Sequence, residues 1–128
     1  MDIEQSTAQA GELPDSWKPH FQGDARMQDL TSPFSEGPDV FFVHFDAGGR
    51  PRPHTHRAGQ VLHIVSGEGI VADGDGRRQV RTGDTVVVRP DEWHWHGGSP
   101  TSAMSHLTIQ FAGDVVWDVD ERDWADNY

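Results

Sequence analysis

The 128 residues suit one domain, the 14 glycines and 8 prolines favour a turn-rich fold, and the absence of cysteine excludes disulfides, thiolate metal ligands and cysteine nucleophiles. The 21 acidic and 10 basic residues give a formal charge of −11, which disfavours nucleic acid and anionic membrane surfaces as partners. No segment approaches the ~20 apolar residues that span a bilayer, so we expect a cytoplasmic protein.

The beginning of the chain differs in character from the rest. Residues 1–20 carry few apolar side chains, and we predict that they form an irregular N-terminal arm with Trp17 as its anchor. The compact domain is predicted for residues 21–128, where the last dozen residues form a short C-terminal extension.

Short apolar runs alternate with turn residues from residue 40 onward. Strands are predicted at 40–45, 60–65, 70–72, 79–81, 85–89 and 103–111, with turns at 47–49, 66–69, 73–76, 82–84 and 97–100. No window shows a helical period. The pattern predicts an all-β fold of seven or eight short strands, either a sandwich or a small closed barrel.

Two histidine pairs lie in or beside these strands. Side chains two residues apart in a strand point to the same face, so His54 with His56, and His94 with His96, can each aim both rings at one point. Gln60 on the following strand offers a further ligand. A single such pair is often solvated or hydrogen-bonded in a core, but two pairs predict a metal site. Neutral nitrogen and amide donors suit Mn, Fe, Co, Ni or Zn better than Mg or Ca.

The strand at 103–111 has one polar and one mostly apolar face. The polar face carries Met104, His106, Thr108 and Gln110, while Leu107 and Ile109 lie on the other. Such a polar face belongs either to a lined cavity or to solvent. We favour the cavity, because both histidine pairs are predicted to converge on one metal site.

At these residues a family resemblance becomes explicit. The run Gly48-x5-His54-x-His56-x3-Gln60-x6-Gly67 resembles the first cupin motif, G-x5-H-x-H-x3-E-x6-G, with glutamine in place of glutamate. The resemblance implies an all-β, single-domain cupin, that is, a small double-stranded β-helix or jelly-roll barrel.

The second cupin motif is matched less closely. The spacing from Gly83 to His94 is kept, but Arg89 and Asp91 replace the usual proline and glycine, and Pro90 is displaced by one position. The two motifs and the strand pattern together cover residues 40–111.

A narrower resemblance is to the small bacterial manganese-dependent cupin hydroxynitrile lyases. It is carried by the runs 54–60, 90–97 and 100–110. The resemblance implies one divalent metal, manganese first, held by His54, His56, Gln60 and His94. It also implies that His96, His106 and Gln110 face the substrate and that Phe41 and Val43 line the pocket, to which the inward strand faces add Leu62 and Thr108.

These residues lead us to expect a metal-dependent lyase in which His106 is the general base. The carboxamide ligand leaves the donor set neutral, which favours Lewis-acid chemistry over oxygen activation. Two alternatives remain open: a dioxygenase acting on an enol or catechol, and a binding protein without catalysis. We expect a small-molecule substrate and a homodimer or higher homo-oligomer, with Trp17, Trp117 and Trp124 as possible interface anchors.

Overall fold

The computed structural model describes residues 1–31, 36–111, 113–124 and 128. These residues form eleven β-strands and one 3-10 helix, Lys18–His20, and none of their helical structure is long and apolar enough to cross a membrane. The all-β prediction is confirmed. The strands are β1 Phe21–Gln22, β2 Ala25–Asp29, β3 Asp39–Phe45, β4 Arg50–Pro51, β5 Thr55–His56, β6 Gln60–Asp73, β7 Gly76–Arg81, β8 Thr85–Val88, β9 Trp95–Gly98, β10 Met104–Gln110 and β11 Val115–Val116.

Strand β6 is shared by both halves of the barrel. Its first half pairs antiparallel with β10 and β8, and its second half pairs antiparallel with β7 and β9. Beyond β10 the sheet continues through β3 to β2. Because one long strand serves both sets of partners, the strands close around a common interior.

The turn predicted at 66–69 is wrong, because β6 runs through it without a break. Gly67 has a φ of +78° inside the strand, and the register with β10 shifts between Ser105 and His106. The glycine therefore marks a bend in a long strand and not the tip of a hairpin. The turn predicted at 97–100 also begins later than expected, because Gly97 and Gly98 belong to β9.

Two small sheets fasten the ends of the chain to the barrel. Strand β1 pairs with β4, and the backbone N–H of Arg52 donates to the carbonyl of His20 at 2.6 Å. Strand β11 pairs with β5, where Val115 lies opposite His56. The segments that precede and follow the main strands in the sequence are thereby held next to the first motif.

The interior is apolar on one side and polar on the other. The buried core cluster consists of Met27, Phe41, Val43, Phe45, Ile64, Val71, Val80 and Met104. On β10, His106, Thr108 and Gln110 are buried, whereas Ile109 on the opposite face is 44% exposed. An apolar residue outside and polar residues inside are the reverse of ordinary strand patterning, which indicates that this face serves chemistry rather than packing.

The aromatic residues outside the motifs are engaged within the chain. Trp17 packs against the core, and the ring of Trp124 lies 4.6 Å from the guanidinium of Arg50, which is completely buried. Trp95 packs on the same guanidinium at 4.4 Å and so faces away from the histidine cluster. The domain boundary after residue 20 and the homo-oligomer stay predictions.

Gly67→Ala tests the bend in β6. An added Cβ would lie 2.1 Å from the carbonyl oxygen of Ala103 and would carry an unfavourable positive φ, so we expect a loss of about 2 kcal/mol or more in the free energy of unfolding. The matched control is Gly74→Ala, where an added Cβ meets nothing within 4 Å. Urea unfolding measures both variants, and equal stabilities would contradict the assignment.

Candidate metal centre

Two separated stretches of chain bring together His54, His56, Gln60 and His94, which we call the donor cluster. His54 precedes β5, His56 ends it, and Gln60 begins β6. His94 comes from the second motif, and its backbone exchanges two hydrogen bonds with that of His54, with N to O distances of 3.0 and 3.1 Å. This isolated bridge holds the two motifs in register at the point where their side chains converge.

The loop before His94 is anchored on the first motif. The N–H of Asp91 donates to the carbonyl of His56 at 2.9 Å, and Asp91 has a φ of +61°. The cupin motif usually has glycine here, and aspartate is among the few other residues that tolerate left-handed backbone. The departure from the motif therefore preserves the turn.

The four predicted ligands lie together and are buried. One ring nitrogen each from His54, His56 and His94 lies within 4.8 Å of the others, and these side chains are at most 4% exposed. The Oε1 atom of Gln60 lies 3.1 Å from Nε2 of His94. The arrangement brings three imidazoles and one carboxamide to a single point.

Backbone carbonyls determine where two of the rings carry their protons. Nδ1 of His54 donates to the carbonyl of Arg52 at 2.7 Å, and Nδ1 of His94 donates to that of Glu92 at 3.0 Å. A carbonyl oxygen can only accept, so each Nδ1 carries the hydrogen and each Nε2 of the neutral ring keeps its lone pair.

Hydrogen-bond acceptors therefore face each other in the donor cluster. Nε2 of Gln60 donates to Oε1 of Gln110 at 2.8 Å, so Oε1 of Gln60 points at the Nε2 lone pair of His94 with no proton between them. His56 is buried, and within the described chain neither of its ring nitrogens has a hydrogen-bond partner. Each such unsatisfied group costs about 1–3 kcal/mol, a cost that a divalent transition metal removes by accepting all four lone pairs.

Burial keeps these imidazoles neutral. It lowers the pKa of His56 and of His94 to about 4. It also lowers the pKa of His54 well below its ordinary value, and the neighbouring His94 and His56 add to that effect. No proton competes with a cation for these nitrogens at neutral pH, and the donor set carries no charge.

Next to the donors lies a hydrogen-bonded row formed by His96, His106 and Thr108, which we call the imidazole row. Nδ1 of His96 is 3.1 Å from Nε2 of His106, whose Nδ1 is 3.0 Å from the hydroxyl of Thr108. The ring of His96 lies 5.6 Å from that of His54, so the row starts beside the donors. Burial lowers the pKa of His106 to about 3 and that of His96 well below its usual range.

Two cavities reach these residues. The first, the metal-facing cavity, encloses about 30 Å³ and touches His54, His56 and Gln60, and its other walls are mainly apolar and aromatic. The second, the side cleft, measures about 290 Å³ and is lined by residues of β7 and β8. It touches His94 and His96 but none of the other three donors.

The predicted pocket residues divide between these cavities. Phe41, Val43, Thr108 and Gln110 line the metal-facing cavity. Leu62 lines the side cleft instead. His96 lines both cavities, whereas His106 lines neither of them and is reached through His96.

Sequence reasoning missed the aromatic wall of the metal-facing cavity. Trp17, Phe21 and Trp117 all line it, and the ring of Trp117 lies 4.8 Å from that of His54. These residues stand outside both motifs, and no spacing relates them to the ligands. Composition was the available signal, since five tryptophans in 128 residues include three in segments predicted as extensions.

Comparison with known proteins matches a cupin domain family to residues 41–109. A curated protein of Granulicella tundricola, named (R)-mandelonitrile lyase, is 37% identical over 117 residues, which are 86% of this chain and 84% of that protein. A cupin-like protein of Thermotoga maritima gives a TM-score of 0.79 at 25% identity over 100% of this chain and 95% of its own. The polyketide cyclase RemF of Streptomyces resistomycificus, 16% identical, gives 0.78 over 96% and 89% and shares the fold.

Removal of one ligand tests the centre. The protein is expected to bind one divalent transition metal per chain, and His56→Ala is expected to weaken binding by at least about 100-fold, because a three-donor set remains. His63→Ala is the matched control, since this exposed histidine lies outside the cluster. Titration with Mn²⁺ followed by elemental analysis gives both affinities, and equal binding by the two variants would disprove the assignment.

The metal-free protein is expected to lose stability in mild acid. The folded pKa values near 4 and 3 lie below the unfolded value of ~6.5, so below pH ~6.5 the unfolded chain binds more protons than the folded one. The folded state keeps its full stability above pH ~6.5. Below that pH its free energy of unfolding falls, by up to about 1.4 kcal/mol per pH unit for each histidine. Urea unfolding in EDTA between pH 7 and 5 measures the slope, and His106→Gln should make it shallower. A flat profile would contradict the burial argument.

Proposed function

The chain belongs to the cupin family, and we propose that it is a metal-dependent lyase of the hydroxynitrile-lyase type. The observation that carries the proposal is the convergence of four neutral donors at a point where two acceptors face each other without a proton. The name of the Granulicella relative supports the same class of reaction. The substrate proposed on this basis is a cyanohydrin.

The neutral donor set favours polar chemistry. Three imidazoles and one carboxamide contribute no negative charge, so a divalent cation held by them keeps its full double charge. When bound, such a metal supplies Lewis-acid polarisation of a substrate oxygen or nitrogen. We propose manganese by resemblance to the manganese-dependent lyases, and Fe, Co, Ni and Zn also suit these donors.

The walls of the metal-facing cavity favour an uncharged substrate. Phe41, Val43 and Phe45 form one apolar side, and Trp117 forms another beside His54. A charged group lying against these walls would lose its hydration without gaining a counter-ion from them. A neutral cyanohydrin loses much less.

His96 is the residue proposed to take the substrate proton. It lines the metal-facing cavity, and its Nδ1 is already hydrogen-bonded to His106. When Nε2 of His96 gains a proton, Nδ1–H can donate to Nε2 of His106, whose Nδ1–H can donate to Thr108. The row stabilises a positive charge on His96 that burial alone would oppose, which makes His106 a positioning residue rather than the base expected from sequence.

The proposed reaction moves one proton twice. The cyanohydrin hydroxyl gives its proton to Nε2 of His96, and the oxygen electron pair forms the carbonyl. The bond to the nitrile carbon breaks, and its electron pair leaves with cyanide. Cyanide then takes the proton back from His96 and departs as hydrogen cyanide, which restores the neutral imidazole.

Cleavage of mandelonitrile to benzaldehyde by the manganese-loaded protein tests the proposal. His96→Ala is expected to lower kcat/KM by roughly 10²–10⁴-fold, because the proton acceptor is lost. His106→Ala should lower it less and shift its pH profile, and His106→Gln should recover part of the rate, since an amide can accept the same hydrogen bond. His63→Ala serves as the control with unchanged rate.

Two outcomes would contradict the proposal. Consumption of dissolved oxygen with an enol or catechol, without cyanohydrin cleavage, would identify an oxygenase. Retained affinity for benzaldehyde in His96→Ala, with no turnover by the wild type under either assay, would identify a binding protein.

A further inference from the structure

The metal-facing cavity is narrow. Its volume of about 30 Å³ equals roughly one water molecule's share of the liquid, whereas sites for small molecules measure roughly 300–1,000 Å³. No cyanohydrin that carries a ring fits into this space. A wall of the cavity must therefore move before a substrate can meet the donors.

Most of the walls are fixed by strand pairing. Phe41, Val43 and Phe45 lie on β3, which is hydrogen-bonded to β2 on one side and to β10 on the other. Trp117 follows β11, and His20 stacks on its ring at 4.2 Å with the two planes 5° apart. Moving the backbone of β3 would break strand hydrogen bonds on both of its sides, and moving Trp117 would separate it from His20.

Residues 12–19, which we call the lid, are attached differently. The backbone N–H groups of Trp17 and Lys18 donate to the carbonyl of Pro14, and Lys18 forms an ion pair with Asp15 at 2.7 Å. Within the described part of the chain, the hydrogen bonds of the lid are local and none reaches the barrel. Only apolar contacts hold it down, through Leu13 and Trp17.

Both ends of the lid are fastened. At one end Gly11 has a φ of +75° and lies so close to β2 that an added Cβ would be 2.1 Å from the carbonyl oxygen of Met27. At the other end Arg52 binds the carbonyl of His20, and β1 pairs with β4. A short segment with fixed ends and a free middle has the geometry of a hinged loop.

Trp17 is the aromatic residue of the lid that lines the cavity. Its ring meets Phe41 at 6.0 Å and Trp117 at 6.5 Å, both edge to face. The contacts are dispersive and involve no hydrogen bond to the barrel, so the ring can lift without leaving a buried polar group unsatisfied.

We infer that residues 12–19 open as a lid over the donor cluster and that Trp17 determines the size of the molecules admitted to it. The inference rests on the proposed function only for the identity of the substrate. The side cleft is the competing route, but it reaches none of His54, His56 and Gln60.

Extraction of manganese by excess EDTA tests the lid without any substrate. We expect Trp17→Ala to release the metal roughly tenfold faster than the wild type, because chelator and water reach the donors through the same opening, and Trp17→Phe to stay within about twofold. Thr85→Trp is the control, since Thr85 is exposed, lines the side cleft and lies outside the centre. It should leave the rate unchanged.

A second measurement uses the wild type, so it does not depend on how the variants fold. Amide hydrogen exchange of Trp17 and Lys18 should be faster than that of Phe41 to Phe45 by orders of magnitude, because opening the lid breaks no sheet. Equal protection of the two segments would overturn the lid. The lid would also be overturned if Thr85→Trp slowed the release of manganese and Trp17→Ala left it unchanged. That result would assign the route to the side cleft.

Substrate size separates this inference from the proposed function. Trp17→Ala should raise kcat/KM for mandelonitrile relative to acetone cyanohydrin by roughly tenfold, because the ring-bearing substrate needs the larger opening. An unchanged ratio would overturn the role of Trp17 in selection. Absence of cleavage in every variant would count against the lyase, while the manganese and exchange measurements would still decide the lid.

Discussion

The site depends on one electrostatic constraint, which is that buried lone pairs converge with no proton to separate them. The carbonyls of Arg52 and Glu92 occupy the only hydrogens that the neutral rings of His54 and His94 possess. Gln110 draws the amide hydrogens of Gln60 away from the cluster. Three neighbours outside the ligand set therefore orient the lone pairs of the cluster toward the point where a cation would bind.

Barrel construction explains how residues 34 positions apart satisfy that constraint. Gln60 lies at the start of β6, the strand shared by both halves of the barrel, and His94 lies just before β9, which pairs with the end of the same strand. The backbone bridge between His54 and His94 then sets their separation. The donors thus lie in strands or in the backbone bridge beside them, whereas Trp17 comes from a segment fastened only at its ends.

The convergence of His54, His56 and His94 could be predicted from sequence because strand periodicity and motif spacing are local properties. His54 and His56 share a face whatever the rest of the fold does. How deeply a side chain lies, and which residues cover it, are not local properties. His106 and His96 both point inward, but only packing decides that His96 lies at the cavity and His106 behind it. For the same reason Leu62 lines the side cleft. Trp17 likewise lines the cavity beside the donors, although it stands 37 positions before His54 in the sequence. The continuous β6 was missed because glycine signals a bend and a turn alike.

A narrow apolar cavity places a condition on any reaction carried out inside it. Ions enter such a space reluctantly, because an unpaired charge loses its hydration there. Cyanide held near a doubly charged metal in a neutral donor set would be strongly retained as an anion, so release requires that a proton be returned to it. His96 can return that proton because burial lowers the pKa of its imidazole well below the usual range, even though His106 and Thr108 stabilise the charged form. In the proposed lyase the imidazole row and the lid are therefore complementary, because the row returns the proton that makes cyanide a neutral molecule and the lid opens to let that molecule leave.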